Sequence, residues 1–487
     1  MLNSSLLEIL RTFNPDEIKK FEDFILSPYF NKKAGVIKLY SEIKKYFPDF
    51  KNENLKREIV WKKLFPDRKF NYGIMKNLIF DLHKLTENFL QVLNFEFNEI
   101  NKSNRLLIEL MRRKLDRLFE KEAKETKKLL NKSKVDTVYF QNKHLFDSVY
   151  QSYFFNNKIS IERYNHIREF NSSLMEFFFS AFFNRNAALA VDKLDLNLDF
   201  DKDSVKTVTD FFNVSPSNTK EDVLVYYYDF EIAEQRNNYE AFKKFKDLIG
   251  KNYSRYTKRQ QYNFYTGLIE FCYHNLENDL LSKSEIFEVC KSMLEKGLHT
   301  NDTNKYMNQF LYLGIADAVL SCKEFEWTKK FIEDYKEKLN PEIRENFYDK
   351  ALIKYFIEAG EFENALEKLS TIKFTSPRDK FDTKIFQFKI YYELNDVEGL
   401  SLLIDSSRHY IAKDKHLSDV QKKSFLKFTG IMKKLVSIKS EVNTNDNTEM
   451  KIEDLRKEIL SEEPPEKKWL YMKIEELKAE NSDKKSR

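Results

Sequence analysis

Seven histidines, His83, His144, His166, His274, His299, His409 and His416, are the side chains best suited to metal binding or proton transfer. None forms an H-x-x-x-H pair, and no cluster of thiols or carboxylates accompanies them at the spacing a zinc site requires. Nucleophilic chemistry fares no better. The chain has no G-x-S-x-G turn, and its nine glycines do not assemble a phosphate-binding G-x-G-x-x-G or G-x-x-x-x-G-K loop. The three cysteines, Cys272, Cys290 and Cys322, are far apart in sequence and make no C-x-x-C pair. They outline no disulfide framework, so a reduced, cytoplasmic protein is expected. The expectation is a non-enzyme that uses no cofactor and no metal.

The elements that would carry any other chemistry are helices. Gly and Pro number nine each in 487 residues, well under ordinary usage. Sheets joined by hairpins need turn residues far more often than that. Forty-four Phe and twenty-six Tyr supply apolar area for a large core despite a charged fraction of 33%. The most apolar stretch, residues 175–183, is much shorter than the roughly 20 residues a membrane span needs, so it reads as a buried helix. No membrane partner is expected. The start of the chain lacks the basic-then-apolar pattern of a secretory signal. Net charge is +5 overall but +10 over residues 1–135, a basic bias that points to an acidic or polyanionic partner.

Four regions follow. Residues 1–100 read as a helical domain with helices at 16–26, 34–46, 54–64 and 71–95, broken at Pro28, Pro48 and Pro66. Residues 101–134 read as one long basic bridging helix. Residues 135–436 read as successive helical pairs at 137–183, 219–250, 258–297, 303–339, 345–374 and 379–411. The alternating run from Leu194 to Phe200 has the pattern of a strand, but no partner strand is evident, so 192–217 reads as an extended connector across the array. Residues 437–487 read as a polar, partly disordered tail with a charged helix ending near Leu460 and a short helix at 466–478 bearing Trp469, Tyr471 and Met472.

The 345–377 unit resembles the tetratricopeptide repeat. Leu352 and Phe356 fill first-helix slots, the Gly360-Glu361 turn follows, and Ala365, Leu369 and Pro377 fill later slots. It departs from the family at Asp349, where an aromatic belongs, and at Ile353 and Ile372, where small residues belong. The preceding unit aligns through Tyr312, Ile315, Ala316 and Val319. The following one aligns through Phe388, Tyr391 and Leu400, and Tyr391 stands 35 residues after Phe356. The resemblance implies an all-α, tetratricopeptide-like α-solenoid of helical hairpins behind a small helical N-terminal domain. It further implies a non-catalytic adaptor or scaffold that holds a protein or peptide segment on the concave face of its first helices. Lys350, Lys354, Asp382, Lys389 and Tyr392 would face that segment, and Lys354 and Lys389 would read an acidic group on it. Over a longer span, the stretches 21–32, 326–346 and 388–396 resemble an uncharacterised family of bacterial proteins of similar length, which adds nothing about chemistry.

Residues 57–85 resemble the end of the winged helix-turn-helix domain that precedes tetratricopeptide repeats in some bacterial transcriptional activators. The shared features are Leu64-Phe65-Pro66-Asp67 and the run from Asn77 to Leu85. That resemblance implies an alternative function, transcriptional regulation, with Arg68, Lys69, Lys76, His83 and Lys84 contacting nucleic acid. Thr86 stands where that family has Arg, and no β-wing is evident after Phe95.

Overall fold

The computed structural model describes residues 4–485 except 158–160, 197–201, 215–219, 277–279, 373–376, 414–418, 442–447 and 463. Every regular element among the described residues is helical: twenty-three α-helices and two 3-10 turns, with one isolated parallel bridge between Val135 and Tyr256. The fold is all-α. No helix among the described residues is long and apolar enough to cross a membrane. The chain divides into two compact units, residues 1–133 with 141–173, and residues 134–140 with 174–487.

The first unit contains α1 (Ser5–Leu10), α2 (Pro15–Leu26), α3 (Ala34–Lys44), α4 (Arg57–Leu64), α5 (Tyr72–Phe97), α6 (Glu99–Arg112) and α7 (Asp116–Lys132). Next come α8 (Thr137–Asn157) and α9 (Ile161–Leu196), which contribute residues to both units. Helix α2 begins on a capping box: the Asn14 side chain accepts from Glu17 N–H at 2.9 Å, and Asn14 N–H donates back to the Glu17 carboxylate at 2.8 Å. Pro15 at its first position and Ser27-Pro28 after its last fix both ends. Helix α5 is the spine of this unit. It packs against α1, α2 and α3, and its Phe89 ring meets those of Phe13, Phe21 and Phe24 at 5.6, 5.0 and 5.5 Å.

Residues 101–134 correct the expectation of a single bridging helix. Lys114 adopts a left-handed conformation (φ 56°), and Leu115 N–H bonds back to the Leu110 carbonyl at 3.0 Å. That closure ends α6 and turns α7 back to pack against it within the first unit.

The second unit continues with α10 (Lys202–Val214), α11 (Glu221–Glu234), α12 (Tyr239–Asn252), α13 (Lys258–His274), α14 (Lys283–Glu295), α15 (Gln309–Ser321), α16 (Phe325–Lys336), α17 (Arg344–Ala359) and α18 (Phe362–Leu369). It ends with α19 (Pro377–Glu393), α20 (Val397–Lys413), α21 (Asp419–Glu441), α22 (Thr448–Glu462) and α23 (Lys467–Lys485). From α11 to α20 the helices pack as consecutive pairs. Each first helix also lies against the first helix of the next pair, and each second helix against that same neighbour. The first helices α11, α13, α15, α17 and α19 therefore form one layer.

Three successive pairs turn the same way. Lys323, Gly360 and Asn395 each take a left-handed conformation, with φ of 64°, 79° and 57°. The next residue, Glu324, Glu361 or Asp396, bonds through its N–H to a carbonyl five residues back, Val319, Phe356 or Tyr391, at 3.4, 2.8 and 2.9 Å. Only Gly360 adopts this geometry free of a Cβ penalty. Below that turn Ala365 is fully buried in one cluster with Ile353 and Ile357.

Two further expectations are corrected. The proposed extended connector is helical where it is described: α9 runs to Leu196 and α10 covers Lys202–Val214, while residues 197–201 and 215–219 lie outside the described residues. The Phe212 ring of α10 sits 4.9, 5.0 and 4.7 Å from those of Phe179, Phe183 and Tyr227, burial that an extended strand would have forfeited. The tail forms both of the helices expected in it, α22 and α23, and departs from the expectation of partial disorder in that α23 runs on to Lys485. Ile452, Leu455 and Ile459 of α22 and Leu470, Ile474 and Leu477 of α23 are each at most 2% exposed, and they share a core with Phe388, Phe425 and Phe428.

Candidate interaction surface

The five residues expected to face a partner lie on α17 and α19, and the structure closes most of them off. Lys350 is 2% exposed, its ammonium 4.9 Å above the Phe347 ring. Tyr392 is equally buried, its ring edge-on to Trp469 at 5.5 Å and capped by the Lys439 ammonium at 4.1 Å. Asp382 is on α19, with its side chain outside the described residues. Lys354 reaches across to α15 and pairs with Asp317. Lys389 is 7% exposed and pairs with Glu466 at 2.9 Å, with the Trp469 ring 5.7 Å from its ammonium. The expectation that these groups face a partner segment is corrected for Lys350, Lys389 and Tyr392, which are buried within the chain. Lys389 and Tyr392 are packed against the chain's own C-terminal segment, Lys354 against the neighbouring first helix α15, and Lys350 against Phe347 of its own helix.

Lys354 and Lys389 occupy neighbouring first helices, and their two ion pairs form one group with Asp317 and Glu466. Burial raises the Asp317 carboxyl above its ordinary value, and the attraction of Lys354 only partly offsets this. Burial works the same way on Glu466, but attraction and a hydrogen bond from Lys389, with Lys354 beyond, outweigh it and hold that carboxyl below the ordinary range. Lys389 is correspondingly raised: burial opposes its charge, and Glu466 more than compensates.

The segment that delivers Glu466 links α22 to α23 and lies against the layer at several points. The Lys468 ammonium donates to the Leu276 carbonyl at 3.2 Å, just beyond α13. The Trp469 indole N–H donates to Glu393 of α19 at 3.2 Å, and Lys473 pairs with the same carboxylate at 2.8 Å. Asp317, Glu466 and Trp469 were missed by sequence reasoning. The 35-residue interval marked the two lysines as equivalent, but no local pattern links them to a carboxylate 77 residues further on.

Asp349, the departure from the tetratricopeptide pattern, is an internal tie. It accepts from the Thr371 hydroxyl at 2.8 Å and pairs with Lys368 at 3.4 Å, joining α17 to the end of α18. An aromatic there would fill space; the carboxylate instead clamps the two helices of one pair.

The nucleic-acid candidates are dispersed around the α4–α5 corner and α5. The Arg68 guanidinium lies 5.8 Å from the Phe65 ring centroid, and its carbonyl accepts from the Trp61 indole at 3.0 Å. Lys69 and Lys76 are exposed. His83 and Lys84 share one carboxylate, Glu87, at 3.3 and 2.7 Å. Exposed Phe80 lies between Lys76 and Lys84 along α5. The opposite side of α5 is the core of its unit, with Met75, Leu82, Leu85, Phe89 and Leu93 buried.

Comparison with protein-family models, curated proteins and solved structures returns no match for this chain.

Proposed function

We propose that the second unit is a tetratricopeptide-like helical array that works as a non-catalytic adaptor, holding a polypeptide segment against its layer of first helices. The turns at Lys323, Gly360 and Asn395 support the repeat reading, since they recur at intervals of 37 and 35 residues with the same backbone geometry. One observation carries the binding reading: this layer already holds a polypeptide segment, the chain's own residues 466–469, through Glu466 to Lys389, Lys468 to the Leu276 carbonyl and Trp469 to Glu393. A surface that presents the buried Lys389 to an acidic residue in cis has the chemistry to accept an acidic segment from a partner along its remaining length.

That remaining length includes Gly314. It lies one turn before Asp317 on the half-exposed stripe of α15, and a Cβ added there meets nothing within 4 Å. Gly314→Trp should therefore obstruct the layer without disturbing its core. Lys330→Trp, exposed on the second helix α16, is the control. Affinity purification from the native host with wild type and both variants tests the reading. A discrete set of proteins lost only with Gly314→Trp supports it; identical recovery with all three removes it.

A further inference from the structure

Between α9, α10 and α11 lies a cleft of about 470 Å³, within the range of roughly 300–1,000 Å³ typical of small-ligand sites. Leu189 and Val205 form apolar walls, and Tyr227, Phe230 and Glu231 line the α11 side. Glu231 is only 7% exposed. Its carboxylate is hydrogen-bonded by the Gln235 side-chain amide at 3.1 Å and by the Tyr227 hydroxyl. Both donors are neutral. Among the described residues no lysine or arginine comes within ion-pair distance of Glu231. Lys202 and Lys206 line the cleft from α10 without pairing with this carboxyl, and the neighbouring Glu234 adds a like charge. Burial and that like charge together raise it above the ordinary carboxylate value.

A buried carboxylate without a countercharge is costly, and a cation entering the cleft would supply one that the described residues do not. Tyr227 and Phe230 bring aromatic rings to the lining, and the apolar walls suit an alkyl stem. We infer that the cleft between α9, α10 and α11 is a binding site for a primary alkylammonium group, with Glu231 as its anion and Tyr227, Phe230, Leu189 and Val205 around its stem. Such a group comes either from a free alkyl amine or from a lysine side chain of a peptide. The inference is independent of whether the layer of first helices binds a partner.

Isothermal titration calorimetry with the full chain separates these cases. The probes are 1,5-diaminopentane, 1-aminopentane, the neutral isostere 1-pentanol and the peptide acetyl-Gly-Lys-Gly-amide. The expected result is saturable binding of at least one amine probe with at least tenfold weaker binding of pentanol. Glu231→Gln, which keeps the shape and removes the charge, should weaken the amine at least tenfold. Val205→Trp, which fills the cleft and keeps the charge, should abolish binding. Binding of the peptide alone assigns the site to a lysine side chain, and binding of the amines alone assigns it to a free amine. Absence of saturable binding by every amine probe overturns the inference, as does equal affinity in wild type and Glu231→Gln. Melting curves of both variants confirm that any loss is not a loss of folding.

Discussion

The Lys389 ammonium lies 2.9 Å from the Glu466 carboxylate, a partner 77 residues further along the chain, and this pair fastens the start of α23 to α19. A lysine side chain only 9% exposed is held in place by that one carboxylate and the Trp469 ring. The pair therefore links the layer of first helices to a tail that the sequence suggests is partly disordered.

Lys389→Ala removes a buried stem and leaves Glu466, a carboxylate with 34% of its side-chain surface open to water, so it should destabilise the protein by about 2 kcal/mol in urea unfolding. Lys389→Met, which keeps the stem and removes the charge, should cost less. Glu466→Gln should cost about 3 kcal/mol, because it leaves the ammonium of Lys389, a side chain only 9% exposed, without its countercharge. The double reversal Lys354→Glu with Lys389→Glu sets like charges against Asp317 and Glu466 and should unfold the second unit rather than yield a folded non-binder.

The pH dependence of the same pair has a definite sign. The folded Glu466 carboxyl sits below its ordinary value of 4.5, so the stability it contributes is present above that pH and is lost as pH falls through the lower folded value. Acid unfolding followed by circular dichroism should show a wild-type loss below about pH 4.5 that Glu466→Gln reduces.

Asp229 acts in the opposite direction. It is 8% exposed, and burial alone raises its carboxyl to about 8 from an ordinary 3.8. The folded state keeps a proton that the unfolded chain releases, so stability falls as pH rises from about 4 to 8. Asp229→Asn should flatten that dependence and stabilise the protein at pH 7 by on the order of 3 kcal/mol. The carboxyl is seated against Gly267, where an added Cβ would lie 2.6 Å from its oxygen. Gly267→Ala should therefore destabilise by about 1–3 kcal/mol, and the cost should shrink in the Asp229→Ala background.

Two glycines should respond with opposite signs. Gly360 has φ 79°, so Gly360→Ala should cost about 1 kcal/mol even though the Cβ has room. Gly314 is helical with open space around it, so Gly314→Ala should stabilise by about 0.5–1 kcal/mol. Paired thermal melts check both.

Local signals explain which parts of the fold were legible. Pro28, Pro48 and Pro66 mark ends that the structure also places at α2, α3 and α4, and Gly360 and Asn395 mark turns. The break at Lys114 and the turn at Lys323 carry no such sign, because lysine seldom enters the left-handed region and neither position bears Gly, Asn or Pro. The α22 and α23 helices were legible from their spacing, but their packing was not, because their apolar residues are diluted by charge. The candidate site was legible only as two equivalent lysines. What they touch depends on a loop distant in sequence, and burial of that kind leaves no periodic trace.

The central claim, that the layer of first helices holds a partner segment, is tested most directly by placing a photo-crosslinking benzoylphenylalanine at position 314 or, as control, at position 330, and mapping the adducts by mass spectrometry from native-host cells. The account predicts adducts at 314 that converge on one acidic stretch of a second protein, with none at 330. Failure to form adducts at 314, or the same adducts from both positions, would contradict it.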